Sequence, residues 1–306
     1  VCRAFFGSPR ASVRAASANM LLPTAYANIR AQCDERASGW PHAEGIRASF
    51  VEAEDGTLRP PAFDDGHGPI GVYAMLQDNA GALAVLRWCR AAFDEVTASL
   101  CEVLTPAQQQ QLNSRLLIVP EERALHTCVA VFHEHPSLLK DDEQRAAWRP
   151  VDESVRARLA PALTARHAAC ARPVLTLESL SLTADGALIA GFVDDADASF
   201  GVLRASSAEV GAEVIGGTLT SRPKTLIHVT IGRLLGQPDG MSHEQDEAFA
   251  ACIRRFNGEA LPQLVATSEP RSFELDAVSL VRDSVWLMTD FIEYARWPIG
   301  AQGSGP

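Results

Sequence analysis

The stretch from Thr225 to Gly236, "TLIHVTIGRLLG", reads as a strand with two unlike faces. Side chains alternate along a strand, so His228, Thr230 and Gly232 point one way and Ile227, Val229 and Ile231 the other. The aliphatic set suits a buried back against helices. About a hundred residues earlier, "ALHTCVAVFHEHP" at 124–136 uses the same device. There His126, Cys128, Ala130 and Phe132 fall on one side, and Thr127, Val129 and Val131 on the other. In each strand a histidine is followed, four residues on and on the same face, by a very small residue, Ala130 or Gly232, leaving room for a ligand.

The surroundings of the two strands also correspond. A helix is predicted from Asp78 or Asn79, with Leu86, Cys89, Phe93, Val96, Leu100 and Val103 forming one buried stripe. Thr105 and Pro106 open a shorter helix, with the proline in the first turn where its missing N–H costs nothing. After the His126 strand come a polar, helix-prone region, then two alternating runs joined at Ala184, Asp185 and Gly186, a hairpin signal. A helix closed by Gly216 and Gly217 leads into the His228 strand. Ser242 and Gln245 have capping-box spacing for the next helix, which Gly258 is expected to stop. A last hairpin is placed around Asp283 and Ser284. The order is therefore strand with histidine, helix, hairpin, helix, strand with histidine, helix, hairpin.

Composition bounds what such a chain can be. With 306 residues, 47% hydrophobic and 21% charged, it can bury a sizeable core as one large domain or two lobes. No apolar run approaches the roughly 20 residues that span a bilayer, so no membrane partner is expected. The net charge of −11 disfavours long nucleic acid, whose binding draws on a cationic field. Seven dispersed cysteines without a CxxC pair indicate reduced, independent thiols and an intracellular setting, the cytoplasm first. The acid-free, arginine-containing start, Val1 to Cys33, also has the look of a plastid or mitochondrial transit segment, or of a basic helix that packs on the body. Residues 42–72, rich in Pro, Gly and Asp, read as an irregular loop region, making 1–72 an N-terminal extension. Residues 73–297 form the main bilobal domain and 298–306 a flexible tail.

"HVTI" at 228–231, with "TLI" before it and "GRLL" after it, resembles the His-x-Thr motif of the two-histidine phosphoesterases, a family that includes 2',5' RNA ligase-like proteins and cyclic nucleotide phosphodiesterases. The likeness covers about residues 75–297 and rests on element order and on both histidine strands. It implies two such motifs on facing strands of two pseudo-symmetric lobes, with a phosphate held between them. The expected fold is thus α+β, two lobes of antiparallel sheet backed by helices, plus the N-terminal helical extension.

The implied activity is the opening of 2',3'-cyclic phosphates on small nucleotides or RNA ends, needing no metal and no cofactor. Ring opening requires one group to take a proton from water and another to give one to the leaving ribose oxygen, on opposite sides of phosphorus. Imidazole, with an ordinary pKa of about 6.5, can do either near neutral pH. His126 is expected as general acid and His228 as general base, with the Thr230 hydroxyl donating to a phosphoryl oxygen. The first motif departs from the family: Cys128 stands where Thr or Ser belongs, and Thr127 faces backwards unless a bulge turns it. A weak S–H donor in that position points either to slowed chemistry or to a protein that binds nucleotides without turning them over.

Arg222 and Lys224 are further candidates to meet a phosphate, and Phe132, on the histidine face, a candidate to stack on a base. Arg233 falls by alternation on the back face, where a structural ion pair is expected. His133 and His135 around Glu134 lie past the strand without a supporting carboxylate cluster, so no metal site is assigned to them.

Overall fold

The computed structural model describes residues 9–42, 50–63, 67–136, 139, 142–151, 153–216 and 224–300, and the side chains of its first helix from Leu22 onward. In chain order the elements are α1 (Pro9–Glu35), β1 (Val51–Glu52), β2 (Leu58–Arg59), β3 (Ile70–Met75), α2 (Ala80–Glu102), α3 (Pro106–Gln111), β4 (Leu117–Ile118) and β5 (His126–His133). There follow α4 (Asp142–Ala147), α5 (Glu153–His167), β6 (Val174–Leu182), β7 (Ala187–Val193), α6 (Ser199–Ile215) and β8 (His228–Leu234). The last are α7 (His243–Arg255), α8 (Leu261–Thr267), β9 (Ser272–Glu274), β10 (Ala277–Val285) and β11 (Asp290–Pro298).

These build an α+β fold around two antiparallel sheets. One has the order β11-β10-β3-β5, the other β4-β8-β7-β6-β9, and β1 pairs only with β2. Each histidine strand is joined to a hairpin distant from its own sequel: β10–β11 completes the sheet that holds β5, and β6–β7 the sheet that holds β8.

Local signals act as expected over much of the chain. Asn79 caps α2, its Oδ1 accepting from the Ala82 N–H at 2.9 Å, and Leu86, Cys89, Phe93, Val96 and Leu100 are buried along one stripe. Each fully buried side chain of this kind contributes about 1.5–3 kcal/mol. Gly186 has φ +81° in the β6–β7 turn, and a Cβ there would meet the Leu234 carbonyl oxygen at 1.9 Å. Ser242 and Gln245 form the reciprocal cap, with bonds of 3.2 and 3.0 Å.

Several expectations are corrected. Gly258 does not stop a helix: a π-helical turn at Phe256–Ala260 carries α7 into α8. It is pinned by Asn257, whose Oδ1 accepts from the Leu182 N–H at 2.9 Å. The irregular region 42–72 contains the β1–β2 hairpin and the start of β3, so a boundary at residue 72 cuts a central strand. All six residues of β3 are buried, which removes the alternation that marks a half-exposed strand. The tail does not begin at 298, because Pro298 ends β11 and Ile299 is fully buried.

The N-terminal helix is built into the body. The Tyr26 hydroxyl lies 2.6 Å from the Ile227 carbonyl oxygen and 2.9 Å from that of Phe192, bridging β7 and the residue before His228. Its ring sits where a Cβ on Gly191 would come within 2.6 Å, so glycine is required there. The described cysteines Cys33, Cys89, Cys101, Cys128, Cys170 and Cys252 are free thiols. No helix among the described residues is long and apolar enough to cross a membrane.

Candidate active site

His126 and His228 are each the first residue of their strand, and both line one cavity of about 270 Å³ between the two sheets. That volume lies just below the range usual for ligand pockets, about 300 to 1,000 Å³. Cys128 and Thr230, two residues along, line the same cavity, as alternation requires.

Beyond those positions both strands break alternation, and in the same way. Ala130 and Cys128 pair with the consecutive residues Val72 and Tyr73, so Val129 is an extra residue. Gly232 and Thr230 pair with the consecutive residues Leu188 and Ile189, so Ile231 is extra too. The bulges rotate the later residues of each strand. Ala130 packs on the main core, and a Cβ on Gly232 would meet the Phe93 ring of α2 at 2.3 Å. Gly232 therefore makes room for a helix side chain and Ala130 packs on the core, and neither lines the cavity. Val131 and Arg233 line it instead.

The other expected site residues divide between cavity and core. Phe132 is fully buried in the main core, away from the cavity, because after the bulge at Val129 alternation puts Val131 on the cavity and Phe132 behind it. Thr127 is fully buried, with no hydrogen-bond partner for its hydroxyl, and does not line the cavity. Lys224 lines the cavity, its Nζ 3.6 Å from Oε1 of Glu134, which lines it also. Arg222 lies outside the described residues. Arg233 is not on the back face: it lines the cavity at 7% exposure, and its Nη1 donates to Oδ2 of Asp185 at 2.6 Å. His133 stacks on Trp148 at 5.1 Å and His135 lies 4.7 Å from Phe63, both away from the cavity.

Electrostatics separate the two imidazoles. The His126 Nδ1–H donates to the Ala124 carbonyl at 2.7 Å, leaving Nε2 as the free nitrogen, and the ring meets Tyr73 edge-on at 5.3 Å. Burial lowers its pKa and the Ala124 bond opposes that shift. His228 has a buried Nδ1 without a hydrogen-bond partner, and its pKa falls to about 4. Burial is the largest cause, followed by the positive charge of His126, Arg204, Lys224 and Arg233. Burial pushes the Cys128 thiol up to about 11, so it stays protonated at neutral pH and does not repel an anion.

Two groups that the sequence reading passed over complete the site. Arg204 of α6 lies half-buried behind it: Nη2 donates to the carbonyls of Cys128 at 2.9 Å and Leu226 at 2.5 Å, and Nη1 to those of Lys224 at 3.0 Å and Thr225 at 3.5 Å. Asp283 lines the cavity from β10 at 5% exposure. The predicted turn at Asp283 and Ser284 sits further on, at Trp286–Thr289, where Leu287 and Met288 adopt φ of 70° and 58° and line the cavity as well. Consecutive left-handed residues other than glycine are costly, and such strain gathers at functional sites.

No family model and no curated protein matches the chain. Among solved structures it is similar to a conserved protein of unknown function from Agrobacterium tumefaciens. That likeness has 12% identity and a TM-score of 0.43, over 83% of this chain and 97% of the other.

Proposed function

We propose that this protein is a two-histidine phosphoesterase that opens 2',3'-cyclic phosphates on small nucleotides or RNA ends, without a metal ion. The observation that carries the reading is the meeting of His126 and His228, from separate sheets, on one small cavity that also holds Thr230 and Lys224. In this reading the two sheets are the family's two lobes. The matching positions of histidine and bulge in β5 and β8 support that view.

The two imidazoles suit different tasks. His228, its pKa depressed to about 4, is a free base at neutral pH and takes the proton of the attacking water. As the water oxygen bonds to phosphorus, a ribose oxygen leaves and takes its proton from Nε2 of His126. The Ala124 carbonyl favours the charged form of His126, and a bound phosphate anion raises its proton affinity further. Thr230 donates to a phosphoryl oxygen, and Lys224 offsets the charge that builds on it.

Cys128 favours a second reading, a protein that binds nucleotides or RNA ends without turnover, since its neutral thiol occupies the place of a hydroxyl donor. One experiment separates the two. The protein is incubated with the four 2',3'-cyclic nucleotides, ring opening is followed by phosphorus NMR, and thermal shifts are recorded with the same compounds. Product formation supports the enzyme, and a thermal shift without product supports the binder. Neither product nor shift with any nucleotide rules out both.

A further inference from the structure

Cys128 leaves the first motif without a hydroxyl, and the strand beside it carries one. Across the β3–β5 pairing, Tyr73 is the direct partner of Cys128. Directly opposed residues of an antiparallel pair put their side chains on one face, about 4.5–5.5 Å apart at Cβ. The bulge sets this match: with Val129 extra in β5, Val72 meets Ala130 on the core side and Tyr73 meets Cys128 on the cavity side. Without the extra residue Tyr73 would oppose Val129 instead.

The phenol is aimed inward. Tyr73 lines the cavity and its ring meets that of His126 edge-on at 5.3 Å. The groups whose charge bears on its hydroxyl, Cys128, Asp283 and Glu134, all line the cavity too. That hydroxyl makes no hydrogen bond to a described residue, and unlike Thr127 Oγ1 and Asp283 Oδ1 it is not sealed from solvent. Among the described residues two other hydroxyls line the cavity, Thr230 of the second motif and Thr289 of the β10–β11 turn, and neither pairs with β5. A phenol gives up its proton only near about pH 10, and burial raises that further, so Tyr73 is a donor throughout the neutral range.

We propose that Tyr73 supplies the donor that the first motif lacks, its hydroxyl binding a phosphoryl oxygen on the His126 side of the cavity while Thr230 binds one on the His228 side. This deepens the reading of the cavity as a phosphoesterase site and rests on it. A neutral O–H gains most as negative charge builds on the oxygen, so its loss should fall on kcat more than on KM.

The test is a mutant cycle on ring opening of the 2',3'-cyclic nucleotides by the wild type, Tyr73→Phe, Cys128→Thr and the double variant, with a melting temperature recorded for each. Tyr73→Phe keeps the ring against His126 and removes only the oxygen, so kcat should fall by about tenfold to a hundredfold with KM within about threefold. Cys128→Thr should raise turnover about tenfold in the wild type and at least about thirtyfold in Tyr73→Phe, because each hydroxyl covers for the other. A hydroxyl with no bond to lose should leave the Tyr73→Phe melting temperature within about 3 °C of the wild type. Undiminished kcat in Tyr73→Phe, a loss confined to KM, or a gain from Cys128→Thr no larger there than in the wild type overturns the assignment and leaves the phosphoesterase reading standing. A larger drop in melting temperature overturns it as well, by showing that the oxygen makes a structural bond. A wild type that opens none of the four nucleotides overturns both.

Discussion

Nη2 of Arg204 donates to the carbonyl oxygen of Cys128 at 2.9 Å, so a helix on the second sheet's connection grips the first sheet inside the His126 motif. The same guanidinium holds the carbonyls of Lys224 and Leu226 just before His228. One half-buried cation thus ties the two histidine strands together. Arg204→Met strips four carbonyls of their donor and should cost about 2–4 kcal/mol in urea unfolding. A loss below about 0.5 kcal/mol would mean that the clip is not what joins the sheets.

His126→Ala and His228→Ala should each lower ring opening of a 2',3'-cyclic nucleotide by at least about a hundredfold, with an unchanged far-UV spectrum. Undiminished turnover in either variant removes that ring from the mechanism.

Cys128→Thr restores a hydroxyl on the cavity face. The donor gained is worth about 1–2 kcal/mol, so turnover should rise by about tenfold or more. A fall in rate would show that the thiol is suited to this site as it stands.

Acid should destabilise the fold over a defined range. His228 and His167 both titrate at about 4 because burial opposes their charge. His167 is also held neutral by geometry: its Nδ1 accepts from Trp297 Nε1 at 3.0 Å. An unfolded chain takes protons on these rings at about 6.5, and the folded one does not. Stability is therefore full above that pH and declines as pH drops towards 4, by about 1–3 kcal/mol for each ring. Urea midpoints measured from pH 7 to 4 check this, and replacing His228 with Asn should flatten part of the slope.

Asp283 has the opposite sign. Its folded pKa of about 8 exceeds that of a free carboxyl, about 3.9, so it favours folding at low pH and progressively less as pH rises from about 4 to 8. Asp283→Asn should match the wild type near pH 4 and exceed it by about 1–3 kcal/mol at pH 8. Equal stability at both pH values would place the wild-type carboxylate in a solvated setting.

Much of the layout was legible in the residues, and the misreadings have physical causes. Asn79, Gly186 and the Ser242–Gln245 pair act locally, so their turns and caps can be read from neighbours in sequence. His126, Cys128, His228 and Thr230 precede the bulges at Val129 and Ile231, and counting by twos holds for them. Past the bulges the count is off by one, which is why Arg233 was set on the wrong face and Phe132 on the cavity. Gly232 was the available hint, since glycine inside a strand often marks a bulge. Asp283 looked like a turn former because Asp and Ser usually are. Arg204 was passed over as one polar residue in a helix, though a lone cation amid small and apolar neighbours invites burial.

The exchange of hairpins between the sheets bears on how the molecule is made. During synthesis, the His126 strand leaves the ribosome with only β3 to pair with, and the rest of its sheet emerges some 150 residues later. Asp283 and the strained turn arrive with that last segment. The cavity between the sheets is thus withheld until nearly all of the described chain has emerged, and pairings so remote in sequence close slowly. Neither half, expressed alone, would carry a finished sheet at the cavity, so complementation by two separately produced fragments should require their co-folding.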